Sequence, residues 1–218
     1  MKKFIESISN VWKIEELKNR ILITLGLLLV YRFGAQVTLP GIDATQLGNL
    51  AGQTKEGIGS ILDMFTGGAF SQASVFALGI MPYISASIVV QLMGIAIPYL
   101  QKLQSDGESG RKKINQITRW LTIGITLVQG PTYIYNLYRT LPSNAFLLGF
   151  NSFEFLFSSV IILVTGTIFA MWLGEKITDK GIGNGISLLI MVGILARFPQ
   201  AFIQEFTTRV TNNNGGPM

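Results

Sequence analysis

The sequence predicts an all-α polytopic membrane protein with five transmembrane helices. Three observations carry that prediction. Charged residues make up 13% of the chain, against about 25% in ordinary globular domains. Five apolar stretches, roughly 21–38, 74–100, 120–138, 155–174 and 182–202, each have about the length a helix needs to cross a bilayer. And the 38 residues Met64–Gln101 include no charged side chain. A soluble helical protein is disfavoured, because five such stretches leave little polar surface to cover it.

The net charge of +5 invites a nucleic-acid partner, but its distribution points to topology. Lys2, Lys3, Lys13, Lys18 and Arg20 precede the first stretch. Lys102, Arg111, Lys112, Lys113 and Arg119 lie between the second and third, and Lys176 and Lys180 between the fourth and fifth. Together they are 12 of the 17 basic residues. The opposite side carries only Lys55, Arg139, Arg197 and Arg209, with Arg32 inside the first stretch. The positive-inside rule therefore places the N-terminus in the cytoplasm. Three glutamates before the first stretch argue against a cleaved signal peptide.

The elements follow in order. Residues 1–20 form a cytoplasmic N-terminal unit, with Phe4, Ile5, Ile8, Val11, Trp12 and Leu17 on one helical face. It either lies in the membrane interface or packs on a partner. Span one ends at Thr38-Leu39-Pro40-Gly41, where Pro and Gly start a turn. Residues 41–63 form an external loop. A straight helix over Met64–Gln101 would rise about 57 Å, nearly twice the ~30 Å hydrocarbon core. Gly67-Gly68, Gly79, Pro82 and Pro98 interrupt it. A short semi-polar half-helix followed by a full span is expected, a shape that suggests a water-filled cavity. Loop 101–119 is an exposed cytoplasmic turn, with Lys112 and Lys113 opening the helix of span three. Gly174–Lys180 is a tight cytoplasmic turn, and 203–218 a polar tail. Five spans leave the two ends on opposite sides, the odd-numbered unit from which inverted repeats are built. The chain is thus expected to be one half of a longer protein: residues 21–204 as the five-span unit and 205–218 as the start of an external linker.

Several chemistries are disfavoured. With no cysteine and no histidine, thiolate catalysis, imidazole bases and the commonest metal ligands are absent. The later spans contain essentially no ionisable side chain, unlike those of ion-coupled transporters and intramembrane proteases. No catalytic residue, metal or cofactor is expected. Arg32 either snorkels to the external interface or tethers two helices. Gly181-Ile182-Gly183-Asn184-Gly185-Ile186-Ser187 is a weak match to a phosphate loop, lacking a preceding strand and a lysine at the right offset. Small residues there more simply allow close helix approach. Ile80, Ile84 and Ile88 form an i, i+4 stripe beside Ser85, Ser87 and Gln91, and Ile182, Ile186 and Ile190 repeat it. Helix packing and an apolar constriction that seals a pore by dewetting are both open.

At these residues the chain resembles the N-terminal half of the SecY family, the central subunits of bacterial protein-conducting channels. The resemblance rests on Tyr31-Arg32-Phe33-Gly34 with Leu39-Pro40-Gly41-Ile42-Asp43, Met64-Phe65-Thr66-Gly67-Gly68-Ala69, and Phe76-Ala77-Leu78-Gly79-Ile80-Met81-Pro82-Tyr83-Ile84-Ser85-Ala86-Ser87-Ile88. It continues through Gly107-Glu108-Ser109-Gly110-Arg111-Lys112-Lys113, Met171-Trp172-Leu173-Gly174-Glu175 and the 181–187 glycine string.

The resemblance implies one half of an inverted-repeat, ten-helix channel that passes unfolded secretory polypeptides and releases transmembrane segments into lipid. It implies a plug near 58–74, with Ile61, Met64, Phe65, Gly67, Gly68, Phe70 and Ser71. The pore ring would take Ile80, Ile84, Ile186 and Ile190. Ser85, Ser87, Val90, Gln91 and Gln129 would line this half's side of a lateral gate, and Asn184 would contact the plug. Arg111, Lys112 and Lys113 would present a basic cytoplasmic loop. Implied partners are SecE and SecG subunits, the SecA ATPase or the ribosome, the polypeptide substrate, the other half of the same protein and the lipid of a bacterial inner membrane. Half of a small-solute transporter and a membrane-embedded assembly scaffold remain the alternatives.

Overall fold

The computed structural model describes residues 14–47, 58–142, 145–146 and 152–211. Helix α1 runs Glu15–Gly34, with Glu15 and Glu16 at its positive N-terminal end and Arg32 in its last turn. A 3-10 turn follows at Ala44–Leu47. Thr45 donates its N–H and its hydroxyl to Asp43 there, which holds that carboxyl below the usual carboxylate range. Helix α2 is short, Ile58–Phe65, and α3 is Met81–Ala96. Helix α4 is Pro98–Ser105, α5 Gly107–Thr140, α6 Ser152–Lys180 and α7 Gly185–Thr211.

The helices pack in a chain of neighbours. Helix α3 lies on α5, α5 on α6 and α6 on α7, while α1 closes against α6 and α7 and α2 rests on α7. Two buried clusters result. One gathers Leu39, Phe70, Ala77, Tyr133, Ile134, Leu137, Phe155 and Leu163 near the 35–47 and 141–146 connections. The other joins Tyr31, Phe76, Ile80, Leu173, Ile177 and Leu189. Short pairings of Thr38 with Ser74 and of Ile42 with Phe146 tie the connections together.

Several expected boundaries move, for physical reasons. The second span does not run on to Leu100. Pro98 pushes Ile97 into extended backbone (φ −106°, ψ 115°), and α4 leaves α3 at 102°. The 101–119 loop shrinks to Asp106 between α4 and α5, so Arg111, Lys112 and Lys113 are all helical. The turn expected at 174–180 is helical too, and the chain reverses at 181–184. Residues 203–211 belong to α7, not to a polar tail. The N-terminal amphipathic pattern falls largely on residues 1–13 and the tail on 212–218, both outside the described residues.

Among the described residues, two helices are long and apolar enough to cross a membrane, Phe153–Lys180 and Gly185–Thr207; the bent pair α3–α4 passes the same test only when its two helices are counted together as one span. Helix α1 misses that standard because Lys18, Arg20 and Arg32 punctuate it. Helix α5 is not among them either; its apolar stretch is interrupted by Gln129 and Asn136, both exposed. Thr118, Thr122 and Thr126 are buried, each donating its hydroxyl to the carbonyl four residues back, at 3.0, 2.7 and 2.8 Å.

Candidate functional site

The uncharged stretch folds as three pieces: the last two residues of α2, a non-helical segment at 66–80, and α3–α4. Irregular backbone survives at membrane depth only where protein covers it and satisfies its polar groups. The 66–80 segment meets both conditions. All its residues are buried except Gln72, Val75 and Leu78, which are half-buried. The N–H groups of Gly68 and Ser74 donate to Asp63 O and Ala69 O at 2.9 and 3.0 Å. Thr66 Oγ1 accepts from the Phe70 N–H at 3.2 Å, and Val37 O accepts from the Val75 N–H at 2.9 Å.

Three elements grip this segment. Helix α1 supplies Arg32, whose Nη1 donates to Gly67 O at 2.8 Å, so the arginine is a tether. Helix α7 supplies Arg197. Its Nη2 pairs with Asp63 Oδ2 at 2.5 Å and donates to Ser71 Oγ at 2.9 Å. Helix α5 supplies Tyr133, whose hydroxyl donates to Phe70 O at 2.8 Å. The plug-candidate residues thus divide: Gly67, Gly68, Phe70 and Ser71 are buried, while Ile61 and Met64 expose their side chains and Phe65 is half-buried.

Three of the ring candidates come together. Ile80 is buried, and Ile84 and Ile186 pack on its cluster. Ile190 lies one turn beyond Ile186 on α7 and is half-buried. Two gate candidates, Ser85 and Gln129, face each other across a cavity of about 410 Å³ between α3 and α5. Leu62, Thr66 and Phe70 of the 58–74 region and Ala77 and Leu78 just beyond it also line it, with Tyr133 and Asn136. Ser87 accepts a 3.1 Å hydrogen bond from Gln91 on the same helix, and Val90 is buried within this half.

The basic end is built differently. Arg119 on α5 holds Glu175 on α6 with two bonds, Nε–Oε1 at 3.0 Å and Nη2–Oε2 at 2.5 Å. They border a cleft of about 260 Å³ with Tyr83, Asn115, Asp179 and Asn184. Asn184 Oδ1 accepts from the N–H groups of Ile186 and Ser187, so its side chain caps α7. Its carboxamide oxygen thus serves its own helix rather than the 58–74 region. Arg111, Lys112 and Lys113 are exposed, and Lys112 pairs with Glu108 at 3.1 Å.

The glycine string serves helix approach. A Cβ on Gly185 would stand 2.0 Å from Gly174 O, and one on Gly181 would stand 2.4 Å from Thr24 Oγ1. Thr24 Oγ1 instead accepts the Ile182 N–H at 3.1 Å. No group of three or more acidic residues able to hold a metal occurs among the described residues.

A family model described as SecY matches residues 74–217, well over half of the chain. The chain belongs to the SecY family. A protein translocase subunit SecY of Haemophilus influenzae is 48% identical over 192 residues, which cover 87% of this chain and 42% of that protein. The Escherichia coli K12 protein of the same name is 48% identical over 186 residues, covering 85% and 42%. The chain thus spans about two-fifths of the length of these SecY relatives. In fold it is similar to Sec61 in the canine ribosome-channel complex from the endoplasmic reticulum. That likeness has a TM-score of 0.57 at 20% identity, over 89% of this chain and 42% of that one. A structure titled as a protein conducting channel matches at the same score and identity, over 89% and 41%.

Asp63 and Arg197 were not among the site residues the sequence suggested. Their signal was present: Asp63 is the last charge before the uncharged stretch, and Arg197 is a lone cation inside the fifth apolar stretch. Opposite charges isolated in otherwise apolar segments that pack together favour each other, since neither tolerates an apolar environment unpaired.

Proposed function

We propose that this chain forms one half of a polypeptide-conducting channel, with 58–74 as its plug. The observation that carries this reading is the buried non-helical segment 66–80. It lies between an apolar cluster holding Ile80, Ile84 and Ile186 and an open, weakly polar groove between α3 and α5. Membership of the SecY family supports it, as do the translocase names of the relatives. Aliphatic ring residues suit a pore that must pass varied unfolded chains yet hold back ions, because they impose no hydrogen-bond code and shed water when narrow.

In this reading α1, α3–α4, α5, α6 and α7 are the five spans, with residues 1–20 cytoplasmic and 205–218 beginning an external linker. The site residues act as the resemblance implies: Ile80, Ile84, Ile186 and Ile190 as the ring, and Ser85, Ser87, Val90, Gln91 and Gln129 along the gate. Asn184, which the resemblance would set against the plug, caps α7 with its side-chain oxygen. The assembly sits in a bacterial inner membrane with a second five-span half and with SecE and SecG. The exposed basic face Arg111, Lys112 and Lys113 meets SecA or the ribosome, which supply the energy; the chain is not an enzyme. A small-solute transporter half is the weaker alternative, since the relatives it matches are named as translocase subunits.

The test is site-specific crosslinking from position 84 or 186 to a stalled secretory chain in the full assembly. Adducts at both positions are expected. Their absence, with adducts forming at lipid-facing positions instead, would overturn the assignment.

A further inference from the structure

Segment 63–71 is held on one flank by charge and on the other by apolar packing. The charged flank is a closed circuit. Asp63 Oδ1 accepts the Ser71 N–H at 2.8 Å, and its Oδ2 meets Arg197 Nη2 at 2.5 Å. Arg197 Nη2 also donates to Ser71 Oγ, which in turn donates to Gly68 O at 3.2 Å. Asp63 is the one charged side chain between residues 58 and 101. Its carboxylate is 4% exposed, and Arg197 is its one salt-bridge partner among the described residues.

The glycine pair makes room for the two arginines. Gly67 (φ +65°) and Gly68 (φ +96°) both adopt left-handed backbone, which side-chain-bearing residues resist. A Cβ at Gly67 would lie 2.9 Å from Gly193 Cα and 3.2 Å from Arg32 Nη1. One at Gly68 would lie 3.0 Å from Arg197 Nη2. The segment is therefore shaped around two guanidinium groups arriving from different helices, α1 and α7.

We infer that Asp63, Ser71 and Arg197 form a latch, with Arg32 as its second arm, that holds the plug segment closed against α7. This rests on the plug reading above and adds what keeps the plug in place. The bonds share one carboxylate and one guanidinium, so they are lost together rather than singly. Displacing the segment would separate the buried Asp63 carboxylate, 4% exposed, from Arg197, which is 39% exposed. The apolar flank against Tyr133 has no such all-or-none character. The latch therefore sets the resting closed population, and the ring sets the tightness of the seal.

The test measures resting ion conductance of the full channel assembly in planar bilayers, with assembly yield followed in parallel. The variants are Asp63→Asn, Arg197→Gln, both together, Ser71→Ala as the mildest, and deletion of 60–72. Each single charge variant is expected to raise the leak about tenfold, and Ser71→Ala less. The double variant should leak no more than the worse single one, because one coupled pair is broken only once. A multiplicative increase in the double variant would overturn the pairing. Unchanged leak in both single variants, while the deletion leaks, would overturn the latch and leave the plug standing. Unchanged leak in the deletion would instead remove the plug reading itself.

Discussion

Tyr133 on α5 donates its hydroxyl to the Phe70 carbonyl at 2.8 Å, and the two rings lie 4.9 Å apart between centroids, tilted by 58°. One residue of a long helix thus fixes both a backbone acceptor and a side chain of a non-helical segment. Tyr133→Phe keeps the ring contact and leaves the Phe70 carbonyl with only the longer bond from the Ala73 N–H, at 3.3 Å. A loss of about 0.5–1.5 kcal/mol is expected, with a thermal transition lowered by a few degrees in detergent-solubilised assembly. Tyr133→Ala should cost more, since the ring packing goes too. Equal transitions for wild type and Tyr133→Phe would show that the Ala73 N–H alone satisfies the carbonyl.

Small residues set how closely the segment can be approached. A Cβ on Gly166 of α6 would stand 2.2 Å from Val75 O, and that atom is backbone with no rotamer to escape to. Gly166→Ala must therefore push α6 away from the segment, and assembly yield should fall sharply. Gly26 on α1 offers the control, since no atom lies within 4 Å of where its Cβ would stand. Gly26→Ala should be neutral or stabilising by up to about 1 kcal/mol, because alanine is the better helix former. Thermal stability that falls equally for both would contradict the close approach at Gly166.

The helices themselves were largely legible, and the reason is periodic burial over long stretches. Apolar runs at 155–174 and 182–202 became the cores of α6 and α7; polar helical turns that hydropathy could not assign extend α6 at both ends and α7 at its C-terminal end only. The break after α3 was readable from Pro98, but its 102° angle was not, because the direction of α4 depends on packing against α5. Ile80, Ile84 and Ile186 were readable as a pair of stripes; that they meet is a tertiary fact. Asp63 and Arg197, 134 positions apart by their numbers, illustrate the limit. Periodicity sees one helix at a time, whereas an ion pair between helices requires knowing which faces oppose.

Ile84 and Ile186 are half-buried and pack against the cluster that holds buried Ile80. If this cluster seals the pore by excluding water, polarity at position 84 should matter more than volume. Ile84→Ser is expected to raise resting conductance of the full assembly, while Ile84→Leu, with the same apolar volume, should leave it near wild type. Single-channel recording in planar bilayers separates the two. A leak in Ile84→Leu as large as in Ile84→Ser would mean that shape rather than polarity makes the seal.

The Arg119–Glu175 pair joins α5 to α6 at the opposite end from Asp63, and its surroundings predict a different energetic weight. Arg119 is 50% exposed and Glu175 22%, so water competes for both partners and screens them. The two-bond geometry favours the pair, yet an exposed bridge of this kind contributes no more than about 1 kcal/mol. Arg119→Ala should thus lower the thermal transition only slightly, and raising the salt concentration should shrink the difference between variant and wild type. Arg197→Ala should behave otherwise. It leaves the 4%-exposed Asp63 carboxylate without its cation; with Arg197 itself 39% exposed, the loss falls below the about 3–5 kcal/mol of a fully buried pair but exceeds that at Arg119 and is screened less by salt. Calorimetry of both variants at low and high salt gives the comparison. A salt-sensitive loss at Arg197 equal in size to that at Arg119 would place Asp63 in water rather than in the protein interior.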